Sequence, residues 1–227
     1  MDVHPLHRWD VTPAEAVALQ RALAARVVTG PPLKSWELVA GCDVSHDRFS
    51  TTLYAGVVVL RAGDFSVVER RAAVAQVEFP YTPGLLSFRE APVLLQALAK
   101  LEHTPDVVMC DGQGIAHPRR LGLASHVGLC LDRPCVGCAK SKLTGKFDEP
   151  GPGPGSRSPL LDRGQVIGGV VRTKARTLPL FVSPGHRIDL ESAVRLVFAC
   201  CRGYRLPEPT RLAHLYVNEV RRGAAAM

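Results

Sequence analysis

Short valine-rich apolar runs alternate with longer Ala- and Leu-rich stretches along the chain, a pattern that predicts a mixed α/β fold. Leu38–Ser45 (LVAGCDVS), Tyr54–Leu60 and Val67–Val77 read as three successive strands. Gly63-Asp64 supplies a hairpin turn between the last two, so an antiparallel meander is expected. Val107–Cys110 and Cys135–Ala139 are short runs of the kind buried on both faces. Val166–Thr173 and Leu178–Val182 form a further pair. Helices are predicted over Pro13–Val28, from about Glu90 to about Leu101, and over Leu121–Cys130, Leu190–Arg202 and Thr210–Arg221, the last entered through Pro209. Thr12 and Glu15 have the spacing of a capping box, with Pro13 at the first helical position. Ser87 and Glu90 repeat that spacing. Thr144–Pro159 contains GPGPG (Gly151–Gly155) and is expected to be a mobile loop without stable secondary structure. No linker separates two cores, so residues 1–227 are expected to form one domain.

This order of elements brings particular side chains to strand ends. Asp43 leaves the first strand and Asp111 the fourth. Were those strands parallel neighbours, both carboxylates would face one edge of the sheet. Glu90, from the intervening helix, and His214, from the last one, would then complete a cluster suited to a hard cation such as magnesium. The alternative has all four as separate surface or capping residues. Lys140 ends the Cys135–Ala139 strand and suits a phosphate contact, with Lys142 a nearby competitor. The glycine turn after Asp111 is followed by His117, Arg119 and Arg120, which could line a groove for a sugar–phosphate backbone. In FPYTPG, Pro80 and Pro83 brace Tyr81 and Thr82 on a stiff loop, and a rigid exposed aromatic can fill the gap left by a displaced base. Gly84, Gly112, Gly114 and Gly122 would let a base approach the backbone closely; otherwise these are simply turns. His186, in the PGHR turn, reads as structural or as a peripheral backbone contact, and neither His46 nor His126 has a special context.

Composition narrows the partners. The 227 residues carry 28 Lys+Arg against 21 Asp+Glu, a formal charge of +7 that favours an acidic partner such as nucleic acid. No run is long enough to span a bilayer, and no secretory segment is evident. The seven cysteines, an odd number, include the adjacent Cys200 and Cys201 and one CxxC, Cys135 and Cys138. Without a second pair or thioredoxin-like surroundings they read as free, buried thiols in a reducing compartment, so a cytoplasmic protein is expected.

The stretches GCDVS, FPYTPGLLSFREAPVLL, PDVVMCDGQGIAHPRRLGLASHVG, GCAKSKL, PLFVSPGHRI and LPEPTRLAHLY, in this order from about Leu38 to Tyr216, resemble the endonuclease V family. The resemblance implies a ribonuclease H-like fold, a mixed sheet flanked by helices. It also implies hydrolysis of the second phosphodiester bond 3′ to a deoxyinosine in DNA, leaving 3′-hydroxyl and 5′-phosphate ends. Some members prefer inosine in RNA. Carried over by position, Asp43 and Asp111 bind Mg2+, with Mn2+ as a substitute, while Glu90 and His214 support its waters. Lys140 meets the scissile phosphate. Tyr81, within Pro80–Pro83, is the wedge. Gly84, Leu86, Gly112 and Gly122 form the base pocket, with Gly114 in the same turn and His117 beside it. The family usually has isoleucine where this chain has Thr82, which makes the wedge less apolar. The expected partner is deoxyinosine-containing DNA, with inosine-containing RNA or a non-catalytic nucleic-acid-binding role as alternatives. A monomer without membrane attachment is expected.

Overall fold

Segments too apolar to leave either face in water form the centre of an eight-stranded sheet. The computed structural model describes residues 1–48 and 50–225. In chain order its elements are α1 (Pro13–Ala24), β1 (Leu38–Ser45), β2 (Thr52–Arg61), β3 (Val67–Gln76), α2 (Leu86–Ala99), β4 (Val107–Cys110), α3 (Leu123–Leu131) and β5 (Cys135–Ala139), followed by β6 (Arg157–Asp162), β7 (Gln165–Val171), β8 (Leu180–His186), α4 (Leu190–Ala199) and α5 (Glu208–Ala225). The strand order is β3-β2-β1-β4-β5-β8-β7-β6. β1, β4 and β5 run parallel; the remaining pairs are antiparallel. The result is a mixed sheet flanked by helices, in the ribonuclease H-like arrangement.

Successive side chains of a strand face opposite ways. Ala40 and Cys42 of β1, with Val108 and Cys110 of β4, pack beneath α1, α2 and α3. Val39, Val107, Met109, Val136 and Cys138 face the other way, toward α4. On that second face α5 covers Val58 and Leu60 of β2 through Ala213. A Cβ on Gly41 would lie 2.0 Å from the Pro209 carbonyl oxygen, so β1 accepts the start of α5 only because residue 41 has no side chain. That close approach brings α5 against the strand carrying Asp43.

The Thr12–Glu15 capping box is present: each residue's side chain accepts from the other's backbone N–H. The Ser87–Glu90 box is absent. α2 starts at Leu86, so Ser87 already lies inside the helix, and its hydroxyl meets His126 Nδ1 instead. α1 stops at Ala24 rather than Val28, and α3 starts at Leu123 behind an extended Gly122. β6 had no counterpart in the sequence reading, and it takes up the last residues of the loop expected to reach Pro159. The GPGPG stretch before it is anchored: Arg172 Nε donates to Gly151 O at 2.7 Å, and Gly155 N–H donates to Arg172 O at 2.9 Å. β8 extends through Pro184 and Gly185 to His186, so that histidine ends a strand and is not in a turn. Its buried ring accepts from Val28 N–H and meets Asp132. All seven cysteines are free and six are buried. Among the described residues no helix is long and apolar enough to cross a membrane.

Candidate active site

β1 and β4 are parallel neighbours in which Cys42 pairs with Cys110. Asp43 and Asp111 therefore follow at equivalent positions, at one edge of the sheet. β5 continues the series, since Cys110 pairs with Gly137 and Lys140 follows the strand's last residue. Carrying the two-residue alternation forward puts Asp43, Asp111 and Lys140 on the face shared with α4 and α5. His214, two turns into α5, meets Asp43 there, with Nδ1 at 2.7 Å from Oδ2. Lys140 Nζ is ion-paired with Asp111 Oδ2.

The electrostatics reflect crowded negative charge. Burial and the neighbouring Asp111 raise the Asp43 pKa, against the pull of His214 and Lys140. Glu90, on α2, is raised further, from 4.5 to about 8, by burial first and then by Asp43 and Asp111. Burial alone would lower the Lys140 pKa, but the charge and hydrogen bond of Asp111, with Asp43 behind it, outweigh this and raise it. The sequence-predicted residues Asp43, Glu90, Asp111, Lys140 and His214 are thus within electrostatic reach of one another. The Asp43 and Asp111 carboxylates are drawn into pairs with His214 and Lys140 respectively. Among the described residues no three His, Cys, Asp or Glu side chains form a group able to hold a metal ion. The four-residue set is therefore not assembled around one point.

Beside this edge lies a cleft of about 320 Å3. Tyr81, Thr82, Pro83, Gly84, Leu86, Gly112, His117 and Gly122 line it, and Asp111 and Lys140 form the border it shares with the acidic centre. Tyr81 is 71% exposed at its rim. Two expected residues are elsewhere. Pro80 faces a neighbouring groove beside Trp9 and Phe88. Gly114 is buried behind the cleft, its N–H donating to Ser183 Oγ at 2.9 Å.

The walls of the cleft come from the ends of helices. Leu86 and Leu123 are the first residues of α2 and α3, whose opening N–H groups have no partner within their own helix. Gly84 has φ +80°, a left-handed conformation that glycine adopts without a steric penalty. His117 Nδ1 accepts from Arg119 N–H at 3.1 Å, which leaves the proton on Nε2 to donate to Gly84 O at 2.9 Å. Burial pushes the His117 pKa down to about 4, so the ring is neutral at physiological pH.

Sequence reasoning missed Gln20, Gln113 and Arg205. Gln20, from α1, is fully buried against Gly84 and Leu121. Gln113 Nε2 ties the glycine turn to Ser141 O at 2.8 Å, while its buried Oε1 has no hydrogen-bond partner. Arg205 Nη2 donates to Lys140 O at 2.7 Å and braces the end of β5. Gln113 stood inside a quoted motif, but none of the three carries a local signature of its role.

Residues 21–215 match the family model for Endonuclease V. The chain belongs to the endonuclease V family. Endonuclease V of Gloeobacter violaceus is 52% identical over 221 residues, covering 96% of this chain and 89% of that one. The crystal structure of the Streptomyces avermitilis family member superposes with a TM-score of 0.91 at 40% identity, covering 99% of this chain and 100% of the other. Ciona intestinalis Endonuclease V, solved with a 23mer DNA containing an inosine followed by a ribo-adenosine, has a TM-score of 0.83 at 26% identity, covering 94% and 100%. Family membership makes the chain an endonuclease.

Proposed function

We propose that this deoxyinosine-recognising DNA repair endonuclease hydrolyses the second phosphodiester bond on the 3′ side of the lesion, leaving 3′-hydroxyl and 5′-phosphate ends. One observation carries the reading: parallel β1 and β4 deliver Asp43 and Asp111 to a single sheet edge, and that edge shares Asp111 and Lys140 with a cleft roomy enough for a purine base. A base held in the cleft leaves the phosphates on its 3′ side at the acidic centre.

The donors fit a hard divalent cation. They are carboxylate oxygens, and burial followed by mutual repulsion raises both Asp43 and Glu90. Magnesium needs only one or two protein carboxylates and keeps its waters, which suits a centre without three converging side chains. Asp43 and Asp111 would hold Mg2+, or Mn2+ in its place, with Glu90 and His214 orienting water around it. When bound, the cation supplies Lewis-acid charge at a phosphoryl oxygen and increases the acidity of water. Lys140 offers its ammonium to the scissile phosphate, where a mobile point charge can follow the developing negative charge. His214, hydrogen-bonded to Asp43, is placed to accept or return a proton.

Base recognition rests on donors. Hypoxanthine carries an oxygen where adenine has an amine, and an N–H group at the start of α2 or α3 can donate to an oxygen but not to an amine. Tyr81 fills the space left in the duplex, and Thr82 adds little apolar surface beside it. All the side chains invoked belong to one chain, which supports a monomer, and the free thiols support a reducing compartment such as the cytoplasm. An inosine-specific ribonuclease is the second reading, favoured by the ribo-adenosine that follows inosine in the Ciona complex.

The decisive experiment maps the ends of products from inosine-containing DNA and RNA, single- and double-stranded, with magnesium and with chelator. Cleavage of DNA immediately 3′ of the lesion's 3′ neighbour, abolished by chelation, is expected. Cuts at unmodified sites, or activity that survives chelation, would refute the reading; cleavage confined to RNA would replace it with the second.

A further inference from the structure

The sheet edge that carries Asp43, Asp111 and Lys140 continues beyond β5. β8 runs antiparallel to β5 with Phe181 opposite Ala139, so its first residue, Leu180, lies at the same end of the sheet as Lys140. Leu180 also pairs with Val171, the last residue of β7. The connection between those two strands, residues 172–179, therefore projects past the edge that holds the acidic centre. A second loop, between α4 and α5, meets it there through Arg205. Arg205 Nε donates to Leu178 O at 2.8 Å, while Nη2 donates to Lys140 O at 2.7 Å and to Pro179 O at 3.0 Å. Thr173 Oγ1 donates back to Arg205 O at 2.6 Å. Arg172 Nη1 closes the connection on itself by donating to Thr177 O. The two loops are thus fastened to each other and to the backbone of Lys140.

These loops present uncompensated charge and apolar area to solvent. Nearby cations are already matched, Lys140 by Asp111 and Arg211 by Glu208. Lys174 and Arg176 are exposed, and among the described residues neither side chain has a hydrogen-bond or ion-pair partner. In the same two loops Leu178 is 72% exposed, and Tyr204, with the Arg211 guanidinium 4.3 Å from its ring centroid, is 52% exposed. None of Lys174, Arg176, Leu178 and Tyr204 lines the cleft. A loop held by so many backbone contacts loses little entropy when its cations meet a row of anions.

We propose that the 172–179 connection is a backbone-binding surface for the substrate strand on the 3′ side of the cut, with Lys174 and Arg176 each on a phosphate and Leu178 and Tyr204 against the sugars. This rests on the reading that the cleft holds the lesion base. With the base there and the scissile phosphate at Lys140, the strand's 3′ continuation leaves past Lys140. The loops that Arg205 ties to Lys140 stand in its way, outside the cleft. Contacts of this kind fix the register of the strand without reading its sequence. They release counterions, so their number is legible in the salt dependence of binding.

The test measures binding to inosine-containing single strands by fluorescence anisotropy, in chelator and across a salt series. Wild type is compared with the double variant Lys174→Ala, Arg176→Ala. A control, Lys34→Ala, Arg133→Ala, removes the same charge from exposed positions that precede β1 and β5, at the opposite end of the sheet. Each strand is made with a long 3′ flank and in a form that ends at the lesion's 3′ neighbour. On the long strand the Lys174, Arg176 variant should flatten the slope of log affinity against log salt by about 0.7 per lost phosphate contact, about 1.4 in all, and the control should flatten it far less. On the truncated strand the variant and wild type should share one slope. An unchanged slope on the long strand, an equal change in the control, or an equal change on the truncated strand would each overturn the proposal. A wild type that binds inosine no better than deoxyadenosine at the same position would remove the base-pocket reading and this one with it. A preference for inosine beside slopes that do not respond would remove only this one.

Discussion

Replacing Glu90 by glutamine should stabilise the metal-free protein at alkaline pH while slowing cleavage. Glu90 is half-buried within electrostatic reach of Asp43 and Asp111, and desolvation with their charge raises its pKa on folding from 4.5 to about 8. The native state therefore keeps a proton that the unfolded chain has released. The stability linked to that proton is full below about pH 4.5 and is lost as the pH rises through about 8. At about 1.36 kcal/mol per pH unit, the rise from 4.5 to about 8 sets a ceiling of about 5 kcal/mol. Relaxation and sharing of protons with Asp43 reduce this to roughly 2–3 kcal/mol. Glutamine stays neutral at every pH and retains the shape. In a chain of this length each 1 kcal/mol moves Tm by about 2–4 °C, so the variant should melt roughly 4–12 °C above the wild type near pH 8.5 and close to it near pH 4.5. The assay is thermal unfolding of both proteins in chelator across that range. Magnesium should raise the wild-type Tm at high pH and narrow the gap, because a cation relieves the same repulsion. Parallel pH profiles for the two proteins, or a glutamine variant that is less stable at high pH, would refute the reasoning.

Asp43→Asn and Asp111→Asn should each lower magnesium-dependent cleavage roughly 100-fold or more while leaving binding to inosine-containing DNA within a fewfold, as measured by single-turnover kinetics and fluorescence anisotropy. Tyr81→Ala should weaken cleavage of duplex substrate roughly 5- to 150-fold, the worth of about 1–3 kcal/mol of stacking, and that of single strands less; equal losses on both would leave Tyr81 an ordinary contact. Gly41→Ala should cost roughly 1–3 kcal/mol in denaturant unfolding, because its Cβ meets the Pro209 carbonyl, and should reduce turnover through the displaced His214. An alanine variant with wild-type stability and rate would show that α5 can shift freely.

The strands of the centre were legible because their chemistry is local. β1, β4 and β5 have the bounds that their apolar runs predict, since a strand buried on both faces leaves little choice of where it stops. β6 was hidden by its own residues: Arg157, Pro159 and the preceding glycines and prolines all argue for loop, and only pairing with β7 makes it a strand. The Ser87 box failed because the sequence cannot reveal that His126, from another helix, competes for the serine hydroxyl. Asp43 and Asp111 could be named from strand ends, but their adjacency depends on a parallel pairing between segments that lie far apart in the chain. Gln20 was invisible. A glutamine on an Ala/Leu helix looks like an exposed polar position, and only the fold turns it inward onto two carbonyls.

His214 reaches Asp43 across 171 positions of chain. During synthesis the acidic strands, the cleft and Lys140 all emerge before α5 does, and the histidine can take its place only once α5 has docked onto Gly41 of β1. A partly made chain therefore lacks one member of the proposed centre until α5 has emerged and docked. Because every strand precedes α5, the proposed centre is completed by a helix docking onto a sheet whose strands have all been made.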